Sequence, residues 1–214
     1  MSQSVAAGAP SAVAGDLDFG KASSGKIAMW IFLLTDGMSF AGLLLGYAIS
    51  RAGSTSWPDP SEHLGITFTA IMTFVLICSS VTMVLALDGA QRKHKRDLCL
   101  FLFLTILGGL FFLCGQVYEY SHLIAEHISL SGGPFFEHYK QDPRFASTFF
   151  SVTGFHGMHV FTGVTYLTIT FFMALKGKYT DGPNASANHV EIAGLFWHFV
   201  DLVWILVFTF IYLI

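Results

Sequence analysis

Charge is the scarce ingredient of this 214-residue chain: Asp, Glu, Lys and Arg make up 12% of it, about half the share of an ordinary soluble domain. Cysteine is scarcer still. Cys78, Cys99 and Cys114 all lie inside apolar runs, which excludes a disulfide-built secreted domain. There is no C-x-x-C pair, hence no covalent haem attachment motif and no paired cysteines for a dinuclear copper site. G-x-S-x-G and H-E-x-x-H are also missing, so neither an esterase elbow nor a zincin helix is present. No basic tract suggests nucleic acid, and a net charge of −3 says little about partners.

What the chain has instead is uninterrupted apolar length. Ile27–Ser50, Leu64–Leu87, Leu98–Tyr118, Phe145–Leu175 and Ile192–Ile214 cover 123 residues, and only two of these, Asp36 and Asp201, are formally charged. A hydrocarbon core about 30 Å thick is crossed by roughly 20 helical residues, so each run is long enough to span. The alternating ten-residue segments of an outer-membrane barrel do not occur. The expected fold is therefore all-α: a polytopic membrane bundle of five transmembrane helices at about 27–50, 64–87, 98–119, 147–175 and 190–214. Residues 1–25 are rich in Ala, Ser and Gly without a signal-peptide apolar core. They read as a disordered, solvated tail, with a partner-docking arm as the alternative.

Flanking cations set the expected orientation. Lys21, Lys26, Arg92, Lys93, Lys95, Arg96, Lys176 and Lys178 fall on one side, against Arg51, Lys140 and Arg144 on the other. This predicts an N-terminus inside and a C-terminus outside. Tyr120–Arg144 is the longest connection, and either folds over its own helices or caps a partner. No inverted repeat or pair of broken helices points to a transporter. Gly42 and Gly46, four apart, read as a close-packing face between helices.

Ionisable side chains at membrane depth need a partner or a function. The candidates are Asp36, Glu119, His156, His159, Glu191, His198 and Asp201. Asp36 lies ten residues past Lys26, about 15 Å along the helix. His156 and His159 share a face of the fourth helix. Glu191, His198 and Asp201 form one stripe on the fifth. Three readings follow: hydrogen bonds between the fourth and fifth helices that fix their register, a proton relay through Asp36, histidine and Asp201, or metal or haem ligation. The first is preferred. Histidines matched for a di-haem site are lacking, and the sequence offers no active site of its own.

Two motifs carry a resemblance. Ser147-Thr-Phe-Phe-Ser-Val-Thr-Gly-Phe-His-Gly-Met-His159 resembles the fourth-helix signature of subunit III of haem–copper oxidases. His189-Val-Glu-Ile-Ala-Gly-Leu-Phe-Trp-His-Phe-Val-Asp-Leu-Val-Trp-Ile205 resembles that subunit's last helix. Gln116-Val-Tyr-Glu-Tyr120 and the stretch Trp30 to Phe40 are similar to further parts of the family, so the likeness runs over about 26–214.

The resemblance implies an accessory subunit without a redox centre, packed against catalytic subunit I and subunit II, which hold the haems and copper. It further implies structural phospholipids, support of proton uptake during oxygen reduction, other respiratory-complex subunits as partners, and a bacterial inner-membrane location. The family's long form has seven helices, two more at its start. The family often has a buried Glu where Asp36 stands, which implies a lipid- or proton-linked role for this carboxylate. Asp36 is similar to the quinol-oxidase branch, whereas Val190-Glu-Ile-Ala-Gly194 is more similar to the cytochrome c branch. The implied electron donor is cytochrome c, with quinol as the alternative. A stand-alone membrane haem protein or a proton channel are the competing classes.

Overall fold

The structure, a computed structural model, describes residues 23–59, 65–125, 128, 142–181 and 186–214. Five long helices follow one another: α1 (Ser24–Ala52), α2 (Ile66–Gln91), α3 (Lys95–Ala125), α4 (Arg144–Leu175) and α5 (Asn188–Val207). The last runs on as a π-helical turn at Phe208–Leu213. All five are long and apolar enough to cross a membrane. A helix is one of the few structures that satisfies its own backbone polar groups in lipid, and the described residues contain no strand.

The helices reach beyond the apolar runs because polar residues build their ends. Ser23 caps α1 by accepting a hydrogen bond from the Lys26 amide, so the helix begins inside the stretch expected to be tail. The rest of that tail, residues 1–22, lies outside the described residues. Likewise α3 continues to Ala125, well past Tyr120, which shortens the long connection expected there. Most of that connection, and the end of the Trp57–His63 loop, are outside the described residues as well.

Two helix ends show how local chemistry sets the turns. Between α2 and α3, Lys93 adopts a left-handed φ of 57°, and the His94 amide donates back to the Gly89 carbonyl at 2.8 Å. Gly89 is required, since a Cβ there would stand 2.8 Å from the Leu98 nitrogen. At the end of α4, Gly177 takes φ 76°. Its amide reaches the Ala174 carbonyl at 2.9 Å, and that of Lys178 reaches Met173 at 3.2 Å. These are the paired bonds of a Schellman stop.

Helices α2, α3, α4 and α5 close a four-membered ring, each packed on the next, while α1 lies outside against α4 and α5. Trp197 of α5 is the wedge at its centre. Its indole Nε1 donates to Ser79 of α2 at 3.1 Å. Its ring covers Gly109 of α3 and Gly163 of α4, where a Cβ would come within 2.6 Å and 3.0 Å of it. The close-packing glycines are thus on the inner helices. Gly42 and Gly46 do not serve that purpose, because nothing else lies within 4 Å of either Cβ position. They line an open cleft between α1 and the first turns of α4, with Ser147, Thr148 and Ser151 across it. In keeping with a lipid-exposed surface, Leu34, Met38, Phe74 and Val117 are 67–71% exposed.

Candidate functional site

The buried polar side chains form separate groups rather than one pocket. On the α1–α4 seam, Asp36 Oδ1 lies 3.2 Å from His159 Nε2. The other ring nitrogen of His159 is 2.8 Å from the Phe155 carbonyl oxygen one turn back. With Nδ1–H donating to that carbonyl, Nε2 carries a proton toward Asp36 only when the ring is the imidazolium. The second oxygen of Asp36 is buried without a hydrogen-bond partner.

His156, one turn from His159, is fully buried, and neither of its nitrogens has a hydrogen-bond partner. Aromatic rings surround it instead: Trp204 at 4.7 Å, Phe112 at 5.6 Å and Phe40 at 6.4 Å between centroids. The two histidines thus share a helix face but not a task. One is paired with a carboxylate and the other is packed as an aromatic.

A second group joins three elements. Glu119 of α3 accepts from the Thr69 hydroxyl of α2 at 3.1 Å and from the Tyr212 hydroxyl of the π turn at 2.9 Å. One turn earlier on α3, Gln116 donates to the Thr153 carbonyl of α4 at 2.7 Å. Tyr120 and the Thr153 hydroxyl share a 2.7 Å bond. The segment Gln116–Tyr120 therefore ties α3 to both of its neighbours and to the end of α5.

The stripe on α5 is divided among different partners. Glu191 forms a 2.6 Å ion pair with Lys26 at the start of α1. The Ser80 hydroxyl of α2 lies 2.6 Å from His198 Nδ1 and also bonds Asp201. A hydroxyl has one proton to give. If Ser80 donates to the carboxylate, His198 Nδ1 must donate to Ser80.

This corrects the expectation that histidines and carboxylates of α4 and α5 bond one another. The α4–α5 contact is filled by the Trp197 and Trp204 rings, so the polar stripe of α5 is left to face α1 and α2. Asp36 and Asp201 belong to different hydrogen-bonded groups. Among the described residues, no three His, Cys, Asp or Glu side chains come together as a metal-binding cluster.

Of the seven residues singled out from sequence, the structure brings together Asp36 with His159, and His198 with Asp201 through Ser80. Their partners Thr69, Ser80, Thr153 and Tyr212 escaped notice because hydroxyls are unremarkable in apolar helices. The adjacent Ser79 and Ser80 were the available signal. Lys26 was read for topology only.

Outside the spans, Asp142 fastens the start of α4. It accepts from the backbone amide and guanidinium of Arg144, at 3.0 Å and 2.6 Å, while its own amide donates to the Ser56 carbonyl at 3.1 Å. The Arg144 contacts hold its carboxyl well below the usual carboxylate range, at about 2.

Known proteins with this sequence pattern are respiratory-oxidase subunits. The chain is 36% identical over 187 residues to cytochrome c oxidase subunit 3 of Corynebacterium diphtheriae, spanning 86% of this chain and 85% of that one. It is 34% identical over 188 residues to cytochrome bo(3) ubiquinol oxidase subunit 3 of Pseudomonas putida, spanning 88% and 84%. It is 35% identical over 206 residues to a probable cytochrome c oxidase subunit 3 of Rickettsia conorii, spanning 88% of this chain and 66% of that one. Residues 11–214 match the family profile described as cytochrome c oxidase subunit III. With that match over nearly its whole length and five helices fit to span a bilayer, the chain is a multi-pass membrane protein of the cytochrome c oxidase subunit III family.

Proposed function

We propose that this chain is the accessory subunit III of a proton-pumping haem–copper terminal oxidase in a bacterial inner membrane. It packs beside subunits I and II, stabilises the catalytic subunit, holds phospholipid and sustains proton uptake. The haems and copper belong to the partner subunits. The observation that carries this reading is how the buried histidines are used. His159 is engaged with Asp36, His198 with Ser80, and His156 with aromatic rings. These are fastenings of a helix bundle, consistent with a chain that supports chemistry performed elsewhere.

The orientation we propose is N-terminus inside and C-terminus outside, on the Lys and Arg count of the flanks. The structure makes α1 and α5 parallel: Lys26 meets Glu191 at their starts, and Arg51 meets Ile214 at their ends. Cytochrome c is the proposed electron donor, supported by Val190-Glu-Ile-Ala-Gly194 and by the naming of the Corynebacterium and Rickettsia relatives. A quinol is the second reading, favoured by Asp36 and by the Pseudomonas relative.

Affinity purification of the tagged chain from detergent-solubilised membranes tests both points. A larger haem-bearing subunit should come down in equal amount, together with a subunit II that contains dinuclear copper. A stoichiometric Soret band in the chain purified alone would overturn the accessory role. A subunit II without copper would turn the donor to quinol.

A further inference from the structure

Glu119 is a carboxyl group buried without a cation. It is 7% exposed and stands toward the end of the bundle where α2 begins and where α3 and α5 finish. Among the described residues its two oxygens meet hydroxyls, Thr69 at 3.1 Å and Tyr212 at 2.9 Å, and no Lys or Arg. The arginines at that end are engaged elsewhere, Arg51 with the Ile214 carbonyl oxygen and Arg144 with Asp142. An acid placed in a membrane bundle without a counter-ion needs a function to account for it.

The hydrogens of these contacts can be counted. Tyr212 has one proton and gives it to Glu119 Oε2. Thr69 has one proton but two acceptors in reach, Glu119 Oε1 and the Gly65 carbonyl oxygen at 3.2 Å. That carbonyl already receives the Thr69 amide and has a second lone pair for the hydroxyl. With Glu119 ionised, Thr69 gives its proton to Oε1. With Glu119 protonated, the carboxyl O–H donates to Thr69 Oγ1, and Thr69 turns its own proton to Gly65. Tyr212 donates to Oε2 in both cases. Either form of the acid thus has both oxygens hydrogen-bonded. The two forms differ by the rotation of one hydroxyl, and no heavy atom has to move.

The same hydroxyl gives the acid its way out. Thr69 is fully buried, whereas Gly65, one turn back, is exposed. Thr69 therefore joins the buried carboxyl to the open first turn of α2. The opposite side is closed by the Tyr212 ring, which packs on Phe149, Phe208 and Trp204 at 5.7, 5.7 and 6.2 Å between centroids. Tyr212 sits on a π turn, a geometry that recurs at functional sites. The other groups around Glu119 do not compete for its proton. On α3 itself, the Tyr120 hydroxyl is turned to Thr153 of α4, and His122, on the next turn, is exposed. At the start of α4, Arg144 is held by Asp142.

We infer that Glu119 is a reversible proton-binding site that opens at the end of the bundle where α2 begins. A proton from water adds to Oε1 and cancels the carboxylate charge, while Thr69 swings to Gly65 and accepts the new O–H. Release runs the same steps backward. The inference goes beyond the accessory role proposed above and is independent of the electron donor.

The test is infrared difference spectroscopy, acid minus alkaline buffer, on the intact oxidase complex in detergent. The complex carries the wild-type chain, Glu119→Gln, Thr69→Ser, Thr69→Val or Tyr212→Phe. Acidifying the wild type should raise a protonated-carboxyl C=O band at the expense of carboxylate bands, and the C=O band should shift down in D2O. Glu119→Gln, whose amide can make the same two bonds but cannot titrate, should abolish that component. Thr69→Ser should leave the band in place. Thr69→Val, which offers no acceptor for the carboxyl proton, should move it to higher frequency. Tyr212→Phe should also raise it, since the carbonyl oxygen loses its donor. A difference spectrum unchanged by Glu119→Gln would overturn the site. So would a band that Thr69→Val leaves where it was, or one that does not respond to D2O. The Thr69→Ser and Thr69→Val comparison decides alone if Glu119→Gln fails to assemble. Subunit ratios in the same samples report separately on the accessory-subunit reading.

Discussion

Glu119 of α3 and Tyr212 of the terminal π turn are joined by a 2.9 Å hydrogen bond inside the bundle, ninety-three residues apart in sequence. Thr69 supplies a second donor to the same carboxylate at 3.1 Å, so one side chain holds α2, α3 and the end of α5.

Tyr212→Phe tests that junction by removing one donor while keeping the ring. Hydrogen bonds between membrane helices average about 0.6 kcal/mol and reach about 1.7. A loss of about 1 kcal/mol is therefore expected, read as a lower denaturation midpoint of the purified complex. Glu119→Leu should cost more, because it strands the Tyr212 hydroxyl and removes the link to Thr69, whose hydroxyl keeps only the Gly65 carbonyl one turn back. A Glu119→Leu variant no weaker than Tyr212→Phe would show that Thr69 contributes nothing.

Glycine positions give a sharp contrast. At Gly109, a Cβ would meet Trp197 and Val164 at 2.6 Å. Gly109→Val is thus expected to cost at least the roughly 1–3 kcal/mol of ordinary overpacking, with a matching fall in assembled complex. Gly42→Ala and Gly46→Ala enter open space and should leave thermal stability within about 0.5 kcal/mol, as surface substitutions usually do. The comparison is made by thermal denaturation at fixed detergent concentration. Equal loss in Gly46→Ala would mean that a partner subunit packs on this face of α1.

The contrast also explains how much was legible in the sequence. Five spans could be read directly, because lipid demands a long apolar helix for each crossing and the charges fall between them. Which faces meet could not. Gly42 and Gly46 have the spacing of a packing motif, yet the glycines that admit a neighbour are Gly109 and Gly163, beneath Trp197. Spacing along one helix reports a shared face without naming the helix opposite. For the same reason Glu191, His198 and Asp201 were correctly a stripe, while their partners Lys26 and Ser80 were invisible. His156 and His159 looked equivalent by periodicity and are separated only by what lies across from them: a carboxylate for one, an indole for the other. The family motifs ran ahead of this physics, since they identified the kind of subunit while implying a role for one side chain only, that of Asp36.

Asp36 and His159 supply a prediction about charge rather than packing. Asp36→Asn retains an oxygen acceptor for the His159 ring, whereas Asp36→Leu leaves that ring nitrogen unpartnered. Asp36→Asn should preserve the ratio of this chain to the catalytic subunit, and Asp36→Leu should lower it severalfold, with the haem spectrum of the assembled fraction unchanged in both. If Asp36→Asn assembles fully but shortens sustained turnover, the ionised carboxylate serves proton uptake. Equal ratios and equal turnover in both variants would rule out a role for the pair.

Acid sensitivity at the mouth of α4 follows from Asp142. Its folded carboxyl titrates at about 2, below the ordinary range near 3.8. A depressed folded value means that the ionised form is favoured by folding. The contribution is fully present above the unfolded value, declines as pH falls below it, and is gone once pH passes through about 2. Asp142→Asn removes the anion at every pH. It should therefore lower the denaturation midpoint slightly at pH 7, and the gap from wild type should narrow steadily as pH is brought from 5 toward 3. The effect is small, because Arg144 is largely in solvent and water screens an exposed ion pair. High salt should shrink the gap at neutral pH in the same way, since screening weakens an exposed pair. A gap that stays constant from pH 7 to 3 would assign the loss to the hydrogen-bond geometry between the Asp142 side chain and the Arg144 guanidinium rather than to charge.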